Sequence, residues 1–245
     1  MILTAHQVGY LPWIGFFDKL SRADLFVSFD AVQYERRGWT NRNYIKTHTG
    51  PLMLSVPVMS KNHFETRLCD IEIQPGNWAR KHMRSIELAY MHAPHFEQHY
   101  AGVGAILDMH AQGAKLCELN LDLLRYFMQA LGIQVPIVRA SDYAFVGSKS
   151  QLVLDMCLKL RATKYIFGGQ GEGYADKDGF RRSGVEPIFQ VYRHPVYPQL
   201  HGSFVPNMGI FDLLANCGPE SLAIRSEERR GGEQFLYRWG PGELK

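Results

Sequence analysis

Cysteine is scarce and badly spaced for any cross-link: Cys69, Cys117, Cys157 and Cys217 are scattered, with no CxxC pair. Neither a disulfide framework nor a thiolate zinc site is expected. Cys117 and Cys157 stand in amphipathic, helix-like runs, where a small buried thiol is the ordinary role. This is the pattern of a reduced, cytoplasmic protein. No run of ~18 apolar residues occurs, so no membrane span is expected. The segment Met1–His6 lacks the basic region and long apolar stretch of a signal peptide and reads instead as a first strand. Charge of one sign is missing as well; a net +3 is too small to argue for nucleic acid by itself. Internal repeats and low-complexity segments are absent.

What remains is an ordinary soluble composition, 46% hydrophobic and 21% charged over 245 residues, enough to bury a sizeable core without staples. Residues 2–5 lead into His6; Gly9 and Pro12 then break the strand. Trp13, Phe16, Phe17 and Leu20 follow at helical spacing, and Leu25–Phe29 is a second strand-like run ending at Asp30. Strand, helix, strand within ~30 residues is a βαβ unit and implies a parallel sheet. Such sheets gather ligands at the carboxyl ends of their strands, where His6 and Asp30 both fall.

Tyr44–Thr47, Leu52–Val58 and Leu68–Ile73 are short strand candidates forming a β insertion or sheet extension. Residues 77–132 turn helical, with Leu116, Leu119, Leu123, Phe127 and Leu131 at three- and four-residue steps and Gly132 placed as the stop. A strand over 136–140, a helix capped by Ser148 and a strand Lys164–Phe167 make a second βαβ unit. Ile188–Tyr192 reads as the last strand and Gly209–Asn216 as the last helix. The expected fold is α/β: a mainly parallel sheet of βαβ units with a β insertion and a helical segment. It forms one domain over 1–224, with a charged tail at 225–245.

Four clusters carry candidate chemistry. His6, with Gln7 and Tyr10 behind it, suits a general base or a phosphate contact, or else a histidine bonded to nearby carbonyls. A loose likeness to nucleotidyltransferases with an H-x-G-H turn after the first strand bears on architecture only, since Tyr10 stands where the second histidine would fall. The segment from Asp30 through Gln33, Tyr34, Arg36, Arg37, Trp39, Asn41, Arg42 and Asn43 to Lys46 sets four cations against two acids among amides and aromatics. Guanidinium forks suit phosphate or carboxylate, and Trp39 with Tyr34 offers stacking surface. The alternative is a solvated edge strand. Single-stranded nucleic acid is the weaker reading, for want of a matching basic stripe elsewhere.

The glycine run 168–173 follows a strand, where backbone amides cradle anions, but it matches neither a P-loop nor a dinucleotide fingerprint. Ser148-Lys149-Ser150 reads as a capped helix start. In the last cluster, His194 on a proline-flanked loop with Tyr197 and Gln199 precedes Asp212 and Asn216, which share a helix face. His194 and Asp212 are either a base with its orienter or parts of a packing loop. Cys217 is a poor nucleophile, since no base is fixed near it.

Taken together, His6-Gln7 with Tyr10-Leu11-Pro12-Trp13, Gln33-Tyr34 through Trp39-x-Asn41-Arg42-Asn43, Gly147-Ser148-Lys149-Ser150, and His194-Pro195-x-Tyr197 with Gln199 resemble the WbqC-like family over nearly the whole chain. The resemblance implies a part in bacterial surface-polysaccharide or amino-sugar biosynthesis, acting on a nucleotide-linked sugar. It suggests a transferase that attaches an acyl or aminoacyl group to the sugar's amine. No tightly bound cofactor or metal is expected; the donor would be a thioester on coenzyme A or on an acyl carrier protein. On this reading His6, His194 and Asp212 are catalytic. Gln7, Tyr10, Asp30, Gln33, Tyr34, Arg37, Trp39, Asn41, Arg42, Asn43, Lys46, Tyr197 and Gln199 bind substrate. Nucleotidyl transfer, with a divalent metal and pyrophosphate release, and a non-catalytic sugar-nucleotide-binding module are the alternatives.

Overall fold

Ile2–His6 (β1) and Leu25–Ser28 (β2) bury consecutive residues, as strands covered on both faces must. In the computed structural model, which describes residues 1–59 and 66–221, they pair in parallel with Leu3 opposite Leu25 and His6 opposite Ser28. Ile137–Arg139 (β5) adds to β2, Lys164–Phe167 (β6) to β1, and Glu186–Phe189 (β7) to β6. The sheet order is β5-β2-β1-β6-β7, parallel throughout, so the mixed α/β fold is as expected.

Side-chain alternation splits the core in two. Phe26 of β2 faces a cluster with Phe16, Phe17 and the helices Trp78–Tyr90 (α2), Phe96–His110 (α3), Leu116–Ala130 (α4) and Ile210–Cys217 (α7). Leu3, Ala5, Val27, Tyr165 and Phe167 face Val153 and Met156 of Lys149–Lys159 (α5) and Phe180 of Lys177–Arg182 (α6). The connecting helix Ile14–Leu20 (α1) is buried at all seven positions, Asp18 and Lys19 included. Enclosed charges need partners: Asp18 accepts from Arg22, and Lys19 donates to the Ala5 carbonyl. The helical stretch of 77–132 consists of α2, α3 and α4, stacked consecutively. Gly132, at φ +63°, ends α4: Ile133 N–H returns to the Met128 carbonyl and Gly132 N–H to Gln129, a Schellman closure.

The β insertion is a hairpin of Arg42–Thr47 (β3) and Gly50–Ser55 (β4). Several boundaries differ from the sequence reading, and the strand expected at Leu52–Val58 is β4, which ends at Ser55. Leu68–Asp70 is a short 3-10 turn, and beyond it Glu72 and Ile73 make only single bridges, to Lys115 and Val58. The strand expected at Ile188–Tyr192 starts and ends earlier, because pairing Lys164 with Glu186 through Phe167 with Phe189 decides its register. Ser148 precedes α5 but caps it only through its carbonyl, which accepts from Gln151 and Leu152. The tail at 225–245 lies outside the described residues. Among the described residues no helix is long and apolar enough to cross a membrane, and all four cysteines are free thiols.

The loop after β1 is clamped to the hairpin. Tyr10 N–H donates to the Thr40 carbonyl (3.1 Å), and Asn120 Nδ2 bridges the Val8 (2.8 Å) and Thr40 (2.7 Å) carbonyls. A Cβ at Gly9 would come within 2.8 Å of the Trp39 carbonyl oxygen. Gly9→Ala is therefore expected to lower stability by ~1–3 kcal/mol, as overpacking does. Urea denaturation is the check, and an unchanged midpoint would mean that the two loops separate freely.

Candidate functional site

From β1 the chain winds one way to β2 and β5, then crosses back to β6 and β7. The switch point lies between β1 and β6, where open parallel sheets bind their ligands. Here the two strands part. Registered pairing of β1 with β6 stops at Leu3 and Tyr165, while β1 stays paired with β2 to His6 and β6 with β7 to Phe167. Thr4 Oγ1 donates to the Ile166 carbonyl (2.9 Å) across the gap.

Strand alternation shows what fills it. The Ile2 and His6 carbonyls accept from Asp24 and Phe29 on the β2 side, and the Met1 carbonyl accepts from Lys164 on the β6 side. The Ala5 carbonyl therefore points toward β6, yet its partner is the Lys19 ammonium at 3.1 Å. Lys19 Nζ also lies 3.4 Å from His6 Nδ1. The lysine is 3% exposed and has no carboxylate partner among the described residues. Its neighbour Asp18 is fully engaged, accepting from Arg22 (2.8 and 3.1 Å) and from Gln190 Nε2 (2.8 Å), which also reaches the Gly15 carbonyl. Desolvation pulls the Lys19 pKa down to about 8.

The His6 ring packs against Phe16, centroids 5.5 Å apart, and the residue is exposed at the carboxyl end of β1. Desolvation, then the Lys19 charge, lowers its pKa from the ordinary imidazole value. Gln7, half-buried beside it, makes no side-chain hydrogen bond among the described residues. Across the gap, a Cβ at Gly168 would meet nothing within 4 Å, and one at Gly169 only the Gln190 carbonyl at 3.8 Å. Gly169–Gly173 coils into a 3-10 turn, not an open nest.

Most other expected site residues are committed to the fold. Asp30 accepts from Arg139 Nε (2.9 Å), Ser141 Oγ (2.8 Å) and Ser141 N–H (2.9 Å), joining the ends of β2 and β5. Tyr10 is buried, its hydroxyl 2.9 Å from His82 Nδ1, and Tyr34 is buried too. Asn41 Nδ2 donates to Val56, and Asn43 Nδ2 to the Leu11 carbonyl (2.6 Å). Arg42 donates to the Gly38 and Arg37 carbonyls and sits over the Trp39 ring, stapling its own turn. Lys46 is 1% exposed and donates to the Ser203 carbonyl at 2.7 Å. Of that cluster, Gln33, Arg36, Arg37 and Trp39 remain exposed.

His194 and Asp212 are not brought together. His194 Nδ1 donates to the Pro195 carbonyl (2.8 Å) while Nε2 accepts from Asn207 N–H (3.1 Å), leaving neither nitrogen for a substrate. Asp212 accepts from Tyr90 (2.9 Å), Tyr197 (2.8 Å) and Gln199 (2.7 Å). Burial raises its pKa against those bonds and the nearby Lys46 charge. Base and orienter give way to a buried latch for the loop after β7. Cys217 is buried, with its thiol pushed up to about 11 by desolvation and then by Asp212.

Among the described residues, two of the cavities border the sheet. The larger, about 530 Å³, lies at the amino end of β5, away from the strand mouths, and its one ionisable side chain, Arg125, pairs with Asp122. The smaller, about 220 Å³, lies on the same edge as His6, lined by Phe29, Ala31, Tyr143, Phe145 and Leu152. Chemistry favours the switch point, where the buried cation and the exposed histidine meet.

The topology thus defines a doubly wound α/β protein with a buried lysine beside an exposed histidine at its switch point. The model of the WbqC-like protein family matches residues 7–224, and the chain belongs to that family. It is also similar to the uncharacterised protein Rv1507c of Mycobacterium tuberculosis, 33% identical over 216 residues, which cover 88% of this chain and 93% of the relative. No solved structure matches significantly.

Proposed function

We propose that the chain is a transferase that attaches an acyl or aminoacyl group to the amine of a nucleotide-linked sugar. The observation that carries the ligand assignment is Lys19, a buried ammonium with no carboxylate partner among the described residues, in the gap between β1 and β6. An enclosed cation at a switch point calls for negative charge, and a diphosphate bridge supplies it. Exposed Arg36 and Arg37 with the Trp39 ring offer further phosphate and stacking contacts. The transfer chemistry rests on the family resemblance. In it the sugar amine attacks the thioester carbonyl, the carbon–sulfur bond breaks, the amine's proton leaves to the departing thiolate, and an amide forms. The acyl donor in this reading is coenzyme A or an acyl carrier protein, and the recess at Phe29 and Phe145 lies at the same sheet edge to receive the acyl group.

Calorimetry with nucleotide-linked amino sugars tests the ligand. Wild type is expected to bind and Lys19→Met to bind on the order of 10–100-fold more weakly, the loss of one charge-assisted contact. Absence of binding to every nucleotide sugar overturns the ligand class, and unchanged affinity in Lys19→Met overturns the site. A second reading, nucleotidyl transfer, is favoured by the histidine and cation at the end of the first strand. It requires a divalent metal and releases pyrophosphate, so a pyrophosphate assay separates the two.

A further inference from the structure

We propose that His6 serves as a hydrogen-bond donor through Nε2–H to an anionic oxygen of the ligand, and that Lys19 is the positioning residue that locks this tautomer. The proposal rests on the β1/β6 gap being the ligand site. An ammonium has three donors and no acceptor. Lys19 Nζ, 3.4 Å from His6 Nδ1 and tied to the Ala5 carbonyl at 3.1 Å, therefore donates to Nδ1, which must carry a lone pair. In a neutral imidazole the proton then sits on Nε2. A doubly protonated ring would set an N–H against the ammonium, so the ring is held neutral, in keeping with its depressed pKa.

The consequence reverses the role expected from position. With its Nδ1 lone pair taken by Lys19 and its Nε2 protonated, His6 has nothing with which to remove a proton from an amine. What it presents is an Nε2–H without a partner among the described residues, on an exposed residue and backed by a positive charge that strengthens it as a donor. A neutral imidazole polarising an oxygen is an established catalytic device. The oxygen belongs either to the phosphoryl bridge or to the acyl carbonyl as negative charge develops on it.

Nitrogen-15 NMR of histidine-labelled protein at pH 7 tests the tautomer, with the His6 signal identified by its loss in His6→Gln. The expected result is a protonated Nε2 and an unprotonated Nδ1, with Lys19→Met yielding a tautomer mixture. A protonated Nδ1 in wild type overturns the proposal even where nucleotide-sugar binding persists; lack of binding with the tautomer intact overturns the ligand reading instead. Inorganic pyrophosphate is the probe for the oxygen. A shift of the His6 Nε2–H signal on its addition assigns the phosphoryl oxygens; a shift only with an acyl thioester assigns the carbonyl, and no shift with either overturns the donor role. In turnover, His6→Gln, whose amide N–H stands near the Nε2 position, is expected to retain most of the activity that His6→Ala loses by on the order of 10–100-fold. Equal loss in both variants overturns it.

Discussion

Asp212→Ala is expected to destabilise the protein by ~3–5 kcal/mol, the cost of breaking a buried charged network by removing one member. The substitution strips the acceptor from Tyr90, Tyr197 and Gln199 together and leaves the Lys46 ammonium, 1% exposed, without its counter-charge. Each buried donor left unmade costs roughly 1–3 kcal/mol. Burial already raises the Asp212 pKa, so its charge is costly to hold; removing it is costlier because its partners stay behind. Asp212→Asn, which keeps one carbonyl, should lose less. Urea denaturation supplies the numbers. In a double-mutant cycle, Lys46→Met should cost less in the Asp212→Ala background than in wild type. A loss below ~1 kcal/mol, or strict additivity, would show that the network is not a unit. Because Gln199 also exchanges two bonds with Val205, limited proteolysis between 192 and 208 should accelerate in the variant.

The second large effect is loss of stability on mild acidification. His82, 7% exposed, accepts the Tyr10 hydroxyl at Nδ1, and burial lowers its pKa from 6.5 to about 4 against a bond to the Ser55 backbone. Between pH 6.5 and 4 the unfolded chain binds a proton at this position that the folded chain refuses. Stability from His82 is therefore complete above pH 6.5 and is lost as pH falls toward 4, by on the order of 3 kcal/mol. His99 and His194 are shifted in the same direction. His82→Gln, which retains a carbonyl for Tyr10, isolates the share of one residue: its unfolding free energy should fall less steeply between pH 7 and 4.5. Parallel curves for variant and wild type would sink the assignment.

Much of the sheet was legible because strands buried on both faces are written in consecutive apolar residues. Lys164–Phe167 has the bounds expected of it, and Gly132 is the stop its position implied. Leu68–Ile73 misled because a suitable alternation finds only single bridging partners there. Lys19 was invisible for a different reason. A lysine within a helical run reads as solvated surface, and its enclosure depends on the tertiary packing that brings it against the Ala5 carbonyl and His6. The clue was the setting, since Ile14–Leu20 is otherwise apolar around nearly its whole circumference. Asp212 was misread because spacing pairs it with His194, whereas Tyr90, 122 residues away, takes one of its oxygens. Arg42 and Lys46 looked free because backbone carbonyls, their actual partners, leave no mark in a sequence.

The Thr4–Ile166 tie spans 162 residues, and that interval has a consequence for biosynthesis. On the ribosome the centre of this sheet emerges long before its second neighbour. At ~5–20 residues per second, β1 waits roughly 8–30 s with one edge unpaired. During that interval the nascent chain carries an open parallel edge, with a buried-to-be lysine still in water, and it is a ready template for pairing with another nascent chain. Translation speed across residues 29–163 thus becomes a determinant of yield.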